Sequence, residues 1–150
     1  TLPATSHAER AEVSKNLKKE TYALSRLFHP NIIRMLHICL DDPDALHIIT
    51  EFAERGNVWQ VLKDTPQLSQ AHRLSFISDI SAAIQELHRQ SPPIVHQNLK
   101  PDNILVTMDW SAKLADFGTA TGTHPTNTIN TMVKGSQDYS SPEKLQVTEP

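Results

Sequence analysis

The sequence predicts an α+β fold, and three observations carry that expectation. Its segments run helix, two strands, short helix, long helix, two short strands and a long polar loop, without the strict strand–helix alternation of a doubly wound sheet. Apolar residues recur at helical spacing in two stretches and cluster in short Ile/Leu/Val runs elsewhere. Turn-forming residues stand between those runs. The chain has 150 residues, 38% of them apolar, enough for one domain that buries roughly two-thirds of its unfolded surface.

The first element is a helix opened by Ser6-His7-Ala8-Glu9. This fits a capping box, in which a Ser hydroxyl serves an orphan N–H and a Glu three residues later reaches back. Val13, Leu17, Leu24 and Leu27 form one stripe, with Glu20 at the remaining seam position. Pro30 ends the helix. Residues 32–40 and 45–52 read as strands, joined by Asp41-Asp42-Pro43-Asp44. Glu54-Arg55-Gly56-Asn57 is a second break before a short helix over 58–63. Ser69 is the expected N-cap of a long helix whose face reads Leu74, Ile77, Ile80, Ile84 and Leu87, stopped by Ser91-Pro92-Pro93. Residues 104–106 and 113–115 are expected as a hairpin around Met108-Asp109-Trp110. From Gly118 to Ser141 the chain turns polar and Thr-rich and reads as a loop.

Charge and composition exclude several function classes. A net charge of −3 argues against nucleic-acid binding through a basic face. No apolar run approaches the ~18 residues of a membrane span, and no signal peptide is present. The one cysteine, Cys39, leaves no internal disulfide and makes a reducing, cytoplasmic setting the expectation. The eight histidines stand without partners at zinc-ligand spacing. The opening residue is Thr1 rather than Met, so a fragment is expected.

Two features of the residues point to chemistry. Asn103 and Asp116 are separated by a single hairpin, which returns the chain near its start, so both oxygen-bearing side chains can face one site. Hard oxygen donors of this kind suit Mg²⁺, though two ordinary turn residues would look the same. Glu20 places a carboxylate in an apolar seam, which is costly unless it is paired or sits at the solvated edge of the stripe.

Three segments occur in a familiar order: His96-Gln97-Asn98-Leu99-Lys100-Pro101-Asp102-Asn103, then Asp116-Phe117-Gly118, then Ser141-Pro142-Glu143. They resemble the H-R-D-L-x-x-x-N, D-F-G and A-P-E elements of eukaryotic protein kinases. Upstream, Glu20 lies nine residues before His29-Pro30-Asn31-Ile32, as the helix-C glutamate of that family does, and Thr50 with Glu51-Phe52-Ala53 looks like its gatekeeper and hinge. The resemblance spans residues 6–143. It implies a partial protein-kinase-like fold, with an N-lobe remnant (helix C and two strands) and hinge over 6–53. The start of the helical C-lobe, through the activation segment, would occupy 54–143. ATP and Mg²⁺ are the implied cofactors, and a protein substrate or signalling partner the implied partner. Asp116 and Asn103 would hold metal. Glu20 would pair with a phosphate-positioning lysine, which no residue before Lys15 supplies. Thr50, Glu51, Ala53 and Leu105 would surround the nucleotide base, and Lys100 would steady the transferred phosphoryl group. Leu24, Met35, His96 and Phe117 match the packed column that links the lobes. Lys100 and Ser136 favour Ser/Thr over Tyr as acceptor.

Two departures shape the functional expectation. Asn98 stands where the family has its catalytic Asp; an amide can orient a hydroxyl but does not take up its proton. Gln97 replaces the arginine that pairs with a phosphorylated activation loop, and a neutral amide holds phosphate far less well than a guanidinium. The four glycines, Gly56, Gly118, Gly122 and Gly135, form no Gly-rich phosphate loop. Impaired phosphoryl transfer is therefore expected, with a pseudokinase that works as a binding or scaffold module as the alternative.

Overall fold

The computed structural model describes residues 21–22, 24–42, 45–118, 121–122, 137–139 and 142. The capping box at Ser6, the apolar positions Val13 and Leu17, Glu20, Ser136, Ser141 and Glu143 lie outside the described residues, as does most of the Thr-rich stretch.

Asn57 accepts from the Gln60 backbone N–H at 2.8 Å, and the Gln60 side chain accepts from the Asn57 N–H at 3.3 Å. This reciprocal capping box starts α1 (Val58–Asp64), which buries Val58 and Val61 on one face. Gly56 precedes it at φ 73°, a conformation that favours glycine, and a Cβ there would displace the Gln60 side-chain oxygen from the cap. Ser69 caps α2 (Gln70–Arg89) by accepting from the His72 N–H.

The buried face of α2 is Phe76, Ile80, Ala83 and Leu87, a spacing of +4, +3, +4 that keeps to one side of a 3.6-residue turn. Leu74 and Ile77 were expected on this face; they are 58% and 63% exposed. Stepping +3 from 74 to 77 to 80 drifts backwards round the helix, so these two fall off the stripe that Ile80 shares with Leu87. Ile84 is half-buried against the core.

Three two-stranded antiparallel sheets occur among the described residues. β1 (Met35–Asp42) pairs with β2 (Ala45–Thr50), with Met35 opposite Thr50 and Ile38 opposite Ile48. The first strand starts three residues later than expected, because Ile32 makes a single bridge to Leu114 instead. β3 (Ile94–Val95) pairs with β6 (Thr121–Gly122), an unexpected pairing that places a strand inside the segment read as loop. β4 (Ile104–Val106) pairs with β5 (Ala112–Leu114), one residue earlier at β5 than the sequence suggested.

The β4–β5 hairpin is the centre of the molecule. Leu114 donates to Asn31 O and accepts from Ile33 N, at 2.8 and 2.9 Å. On the opposite edge, Val106 donates to Gly56 O and accepts from Arg55 N, at 2.8 and 3.0 Å. The hairpin is thus held laterally between residues 31–33 and residues 55–57. Asp79 of α2 accepts from the Ala112 N–H at 2.8 Å, tying the helix to the hairpin. Phe117, Ile32, Leu87, Leu114 and Val106 are the largest fully buried side chains, so the core runs from α2 through this hairpin.

Candidate functional site

The residues expected to carry chemistry stand at the open end of the β4–β5 hairpin. Residues 96–100 follow β3, with Gln97 left-handed at φ 65° and Lys100 extended, and a 3₁₀ turn at Pro101–Asn103 then leads into β4. The Lys100 carbonyl accepts from the Asn103 N–H at 3.0 Å, which folds the loop over its last turn. Pro101 suits that turn because it needs no N–H at its first position.

Two contacts grip the residue that precedes Asp116. The Asn103 carbonyl accepts from the Ala115 N–H at 2.9 Å, and the buried His96 Nε2–H donates to the Ala115 carbonyl at 2.9 Å. The His96 ring also packs edge-on against Phe117, with ring centroids 5.0 Å apart. Burial holds the His96 imidazole below its usual pKa, a shift partly opposed by the Ala115 hydrogen bond and the Asp116 charge. Neutral His96 is therefore a structural peg.

Asp116 itself adopts φ 63° and is exposed. A left-handed conformation is tolerated better by Asp than by most residues. It turns the carboxylate away from the strand direction and towards Asn98. The Asn98 side-chain N–H donates to Asp116 Oδ2 at 3.2 Å, and the Asn103 side-chain N–H donates to the Asn98 carbonyl at 2.9 Å. Asn98 and Asn103 are both buried. Asn98 is thus joined to Asp116 through its side chain and to Asn103 through its carbonyl. Gln97, next to Asn98, is also left-handed at φ 65°.

The residues expected around a nucleotide base lie along the other edge. Thr50 ends β2 half-buried, and Ala53 is buried. Leu105 in β4 bridges Asn57, just beyond the hinge, so the hinge segment and Leu105 are neighbours. Glu51 turns its carboxylate elsewhere: Oε1 accepts from the Arg34 N–H at 2.8 Å and pairs with Lys113 Nζ at 2.9 Å. Its side chain braces residues 30–34 against β5, and Lys113 extends that brace to the Pro30 carbonyl at 2.8 Å. Sequence reasoning missed Lys113, whose place opposite Leu105 in the hairpin was its available signal.

Among the described residues no three His, Cys, Asp or Glu side chains cluster into a metal cage. The donor set at the hairpin mouth is one carboxylate and one amide oxygen. That set fits Mg²⁺, which is held by few protein ligands and shared with phosphate oxygens. Leu24, His96 and Phe117 are buried in the core, with Met35 half-buried against it.

The sequence matches the protein kinase domain family over residues 3–149. The chain belongs to the protein kinase domain family. This kinase domain sequence is 34% identical over 146 residues to the probable serine/threonine-protein kinase drkA of Dictyostelium discoideum, covering 97% of this chain and 22% of that protein. It is 32% identical over 143 residues to the serine/threonine-protein kinase CTR1 of Arabidopsis thaliana, covering 93% of this chain and 17% of that one. Against the serine/threonine/tyrosine-protein kinase HT1 of the same plant, identity is 36% over 121 residues, 79% of this chain and 30% of the relative. The chain thus spans less than a third of the length of these curated relatives. The helices and small antiparallel sheets accord with a partial kinase-like α+β fold. Among the described residues, no helix is long and apolar enough to cross a membrane.

Proposed function

We propose that this chain is the hinge and catalytic-loop portion of a Ser/Thr-directed protein kinase, with an N-lobe remnant over 6–53 and the start of the C-lobe over 54–143. In the full-length protein this portion takes Mg²⁺–ATP at the hairpin mouth and phosphate transfer is slow, whereas the chain by itself is inactive. The observation that carries this reading is the pair of hydrogen bonds through Asn98, whose side chain donates to Asp116 at 3.2 Å and whose carbonyl accepts from the Asn103 side chain at 2.9 Å.

Mg²⁺, when bound with ATP, neutralises phosphate charge. Asp116 supplies the charged oxygen for it and Asn103 a neutral one. Thr50, Ala53 and Leu105 line the edge that takes the base, while Glu51 holds the hinge through Arg34 and Lys113. Glu20 serves the same site as partner of a phosphate-positioning lysine. Lys100 reaches the phosphoryl group under transfer. Asn98 orients the acceptor hydroxyl of a protein substrate through its amide oxygen but does not accept the proton, so the general-base contribution of ~10²–10⁴ is lost. The setting is cytoplasmic signalling.

A calorimetric titration with Mg²⁺–ATP and a phosphate-transfer assay test this in the full-length protein. Binding with slow turnover is expected, and Asn98→Asp raises turnover by up to ~10²–10⁴ at saturating Mg²⁺. Asp116→Ala weakens Mg²⁺-dependent binding. Wild-type turnover equal to that of Asn98→Asp would remove Asn98 from the base position. A second reading, a pseudokinase that acts by contact, is favoured by the two neutral amides Gln97 and Asn98. Absence of nucleotide binding would select it.

A further inference from the structure

The contact between Asn98 and Asp116 has a second consequence, which rests on the nucleotide-binding reading above. The backbone on either side of Asp116 is pinned: Ala115 is held by Asn103 and His96, and Phe117 is fully buried. What can still move is the exposed Asp116 carboxylate. Its Oδ2 receives a side-chain N–H from buried Asn98 at 3.2 Å. The Asn98 side chain is aimed from a loop whose own position is fixed by the Asn103 side chain on the Asn98 carbonyl. The donor therefore comes from a rigid support and carries no net charge.

An aspartate at position 98 would put a second carboxylate at that separation. Two carboxylates so close repel strongly, and the repulsion is relieved by a cation between them or by a proton on one of them. The amide reverses the sign of the contact. It holds the Asp116 carboxylate in its observed position without a metal, and it occupies an oxygen that a cation would otherwise take.

We propose that Asn98 is a positioning residue that substitutes for part of the cation's hold on Asp116, so that nucleotide capture here depends less on a divalent cation than it would with an aspartate at position 98. The cation that remains is held chiefly by the phosphates.

The test is a calorimetric titration of ATP onto the full-length protein and its Asn98→Asp and Asn98→Ala variants, each in Mg²⁺ and in excess EDTA. In wild type, removal of Mg²⁺ is expected to weaken ATP binding by less than about tenfold; in Asn98→Asp the loss is greater by about tenfold or more. Asn98→Ala removes the donor without adding charge, so its affinity falls further below wild type in EDTA than in Mg²⁺. A thermal melt without nucleotide gives an independent readout: Mg²⁺ raises the midpoint of Asn98→Asp more than that of wild type. If Asn98→Asp does not fold, the Asn98→Ala comparison alone decides. Equal Mg²⁺ dependence in wild type and the variants that fold overturns the inference and leaves the nucleotide site standing. No ATP binding in any of them, with or without Mg²⁺, overturns the proposed function and this inference with it.

Discussion

The two ends of the β4–β5 hairpin are built from similar residues and do opposite things. At the closed end, Thr107, Asp109 and Ser111 bond to one another: Thr107 Oγ1 donates to the Ser111 carbonyl at 3.0 Å and accepts from its N–H at 3.2 Å, and Ser111 Oγ donates to Asp109 Oδ2 at 3.1 Å. Trp110 takes φ 66° to close the turn. At the open end Asp116 takes nearly the same backbone angle, φ 63°, yet its carboxylate is exposed and meets a donor from a different loop. A strained φ does not by itself mark a functional residue. The difference lies in where the polar groups find partners. Asp109 is satisfied by residues two positions away, whereas Asp116 is reached by Asn98, 18 positions earlier.

The strongest way to break the comparison is to remove the core the two ends share. Leu114 is fully buried, and its backbone joins β5 to residues 31–33. Leu114→Ala is expected to cost about 2–5 kcal/mol in urea unfolding. Both ends should loosen together, seen as faster amide exchange at Thr107–Ser111 and at Asn103–Asp116. Loosening at one end alone would mean that the hairpin does not couple them.

A pH titration separates the ends. His96 is held below its ordinary pKa of 6.5 by burial, so the unfolded chain binds more protons at this group as pH falls. Its contribution is complete above pH 6.5 and is lost as pH drops from there through the lowered folded-state value, with a slope of at most about 1.4 kcal/mol per pH unit. Asp109 is held below its ordinary value of 3.8 by the Thr107 and Ser111 hydroxyls. Its contribution is present above pH 3.8 and goes only as pH falls through its lower folded-state value. Acid should therefore release the open end first. Unfolding measured from pH 8 to 4 on wild type and His96→Leu checks this: the variant should lose the slope near and below pH 6.5. An unchanged slope would assign it to another histidine.

Much of this contrast was legible in the sequence, for local reasons. Ser69 announces its helix because caps act within three residues, Glu54-Arg55-Gly56-Asn57 announces a break, and Met108-Asp109-Trp110 announces its turn. Asn103 and Asp116 were placed together because a hairpin has one geometry. Non-local choices were not legible. Leu74 and Ile77 are as apolar as Ile80, and Ala83 is a weak signal, so spacing alone found Ile80, Ile84 and Leu87 but added two exposed residues to the stripe of α2. The pairing of Ile94–Val95 with Thr121–Gly122 has no local trace, since two-residue strands leave no periodicity. Glu51 was read as a base-binding position, and nothing nearby announced that Lys113 and the Arg34 N–H would take its carboxylate.

The smallest expected effect sharpens the comparison most, because it should stay at one end. Arg55 lies with its guanidinium 4.0 Å from the Trp110 ring centroid, and its Nε and Nη2 donate to the Met108 carbonyl at 3.1 and 2.9 Å. The opposite side of the story is His72, stacked on the same indole with ring centroids 4.6 Å apart. Trp110 is thus braced by two side chains from outside the hairpin. Arg55→Ala removes one brace and the fork on Met108, while the Arg55 N–H still reaches Val106. An exposed cation–π contact contributes about 0.5–1 kcal/mol, so global stability should fall by about that much. The local effect is more telling. Amide exchange should quicken at Met108–Ser111 and the Trp110 fluorescence should shift, read against a Trp59→Phe background because the chain has two tryptophans. Arg55→Lys should restore the charge but not the fork, and so recover only part of the protection. Exchange at Asn98, Asn103 and Asp116 should stay at wild-type rates. If it quickens there too, the closed end transmits its mobility along β4 and β5, and the hairpin works as one lever rather than as two independently held ends.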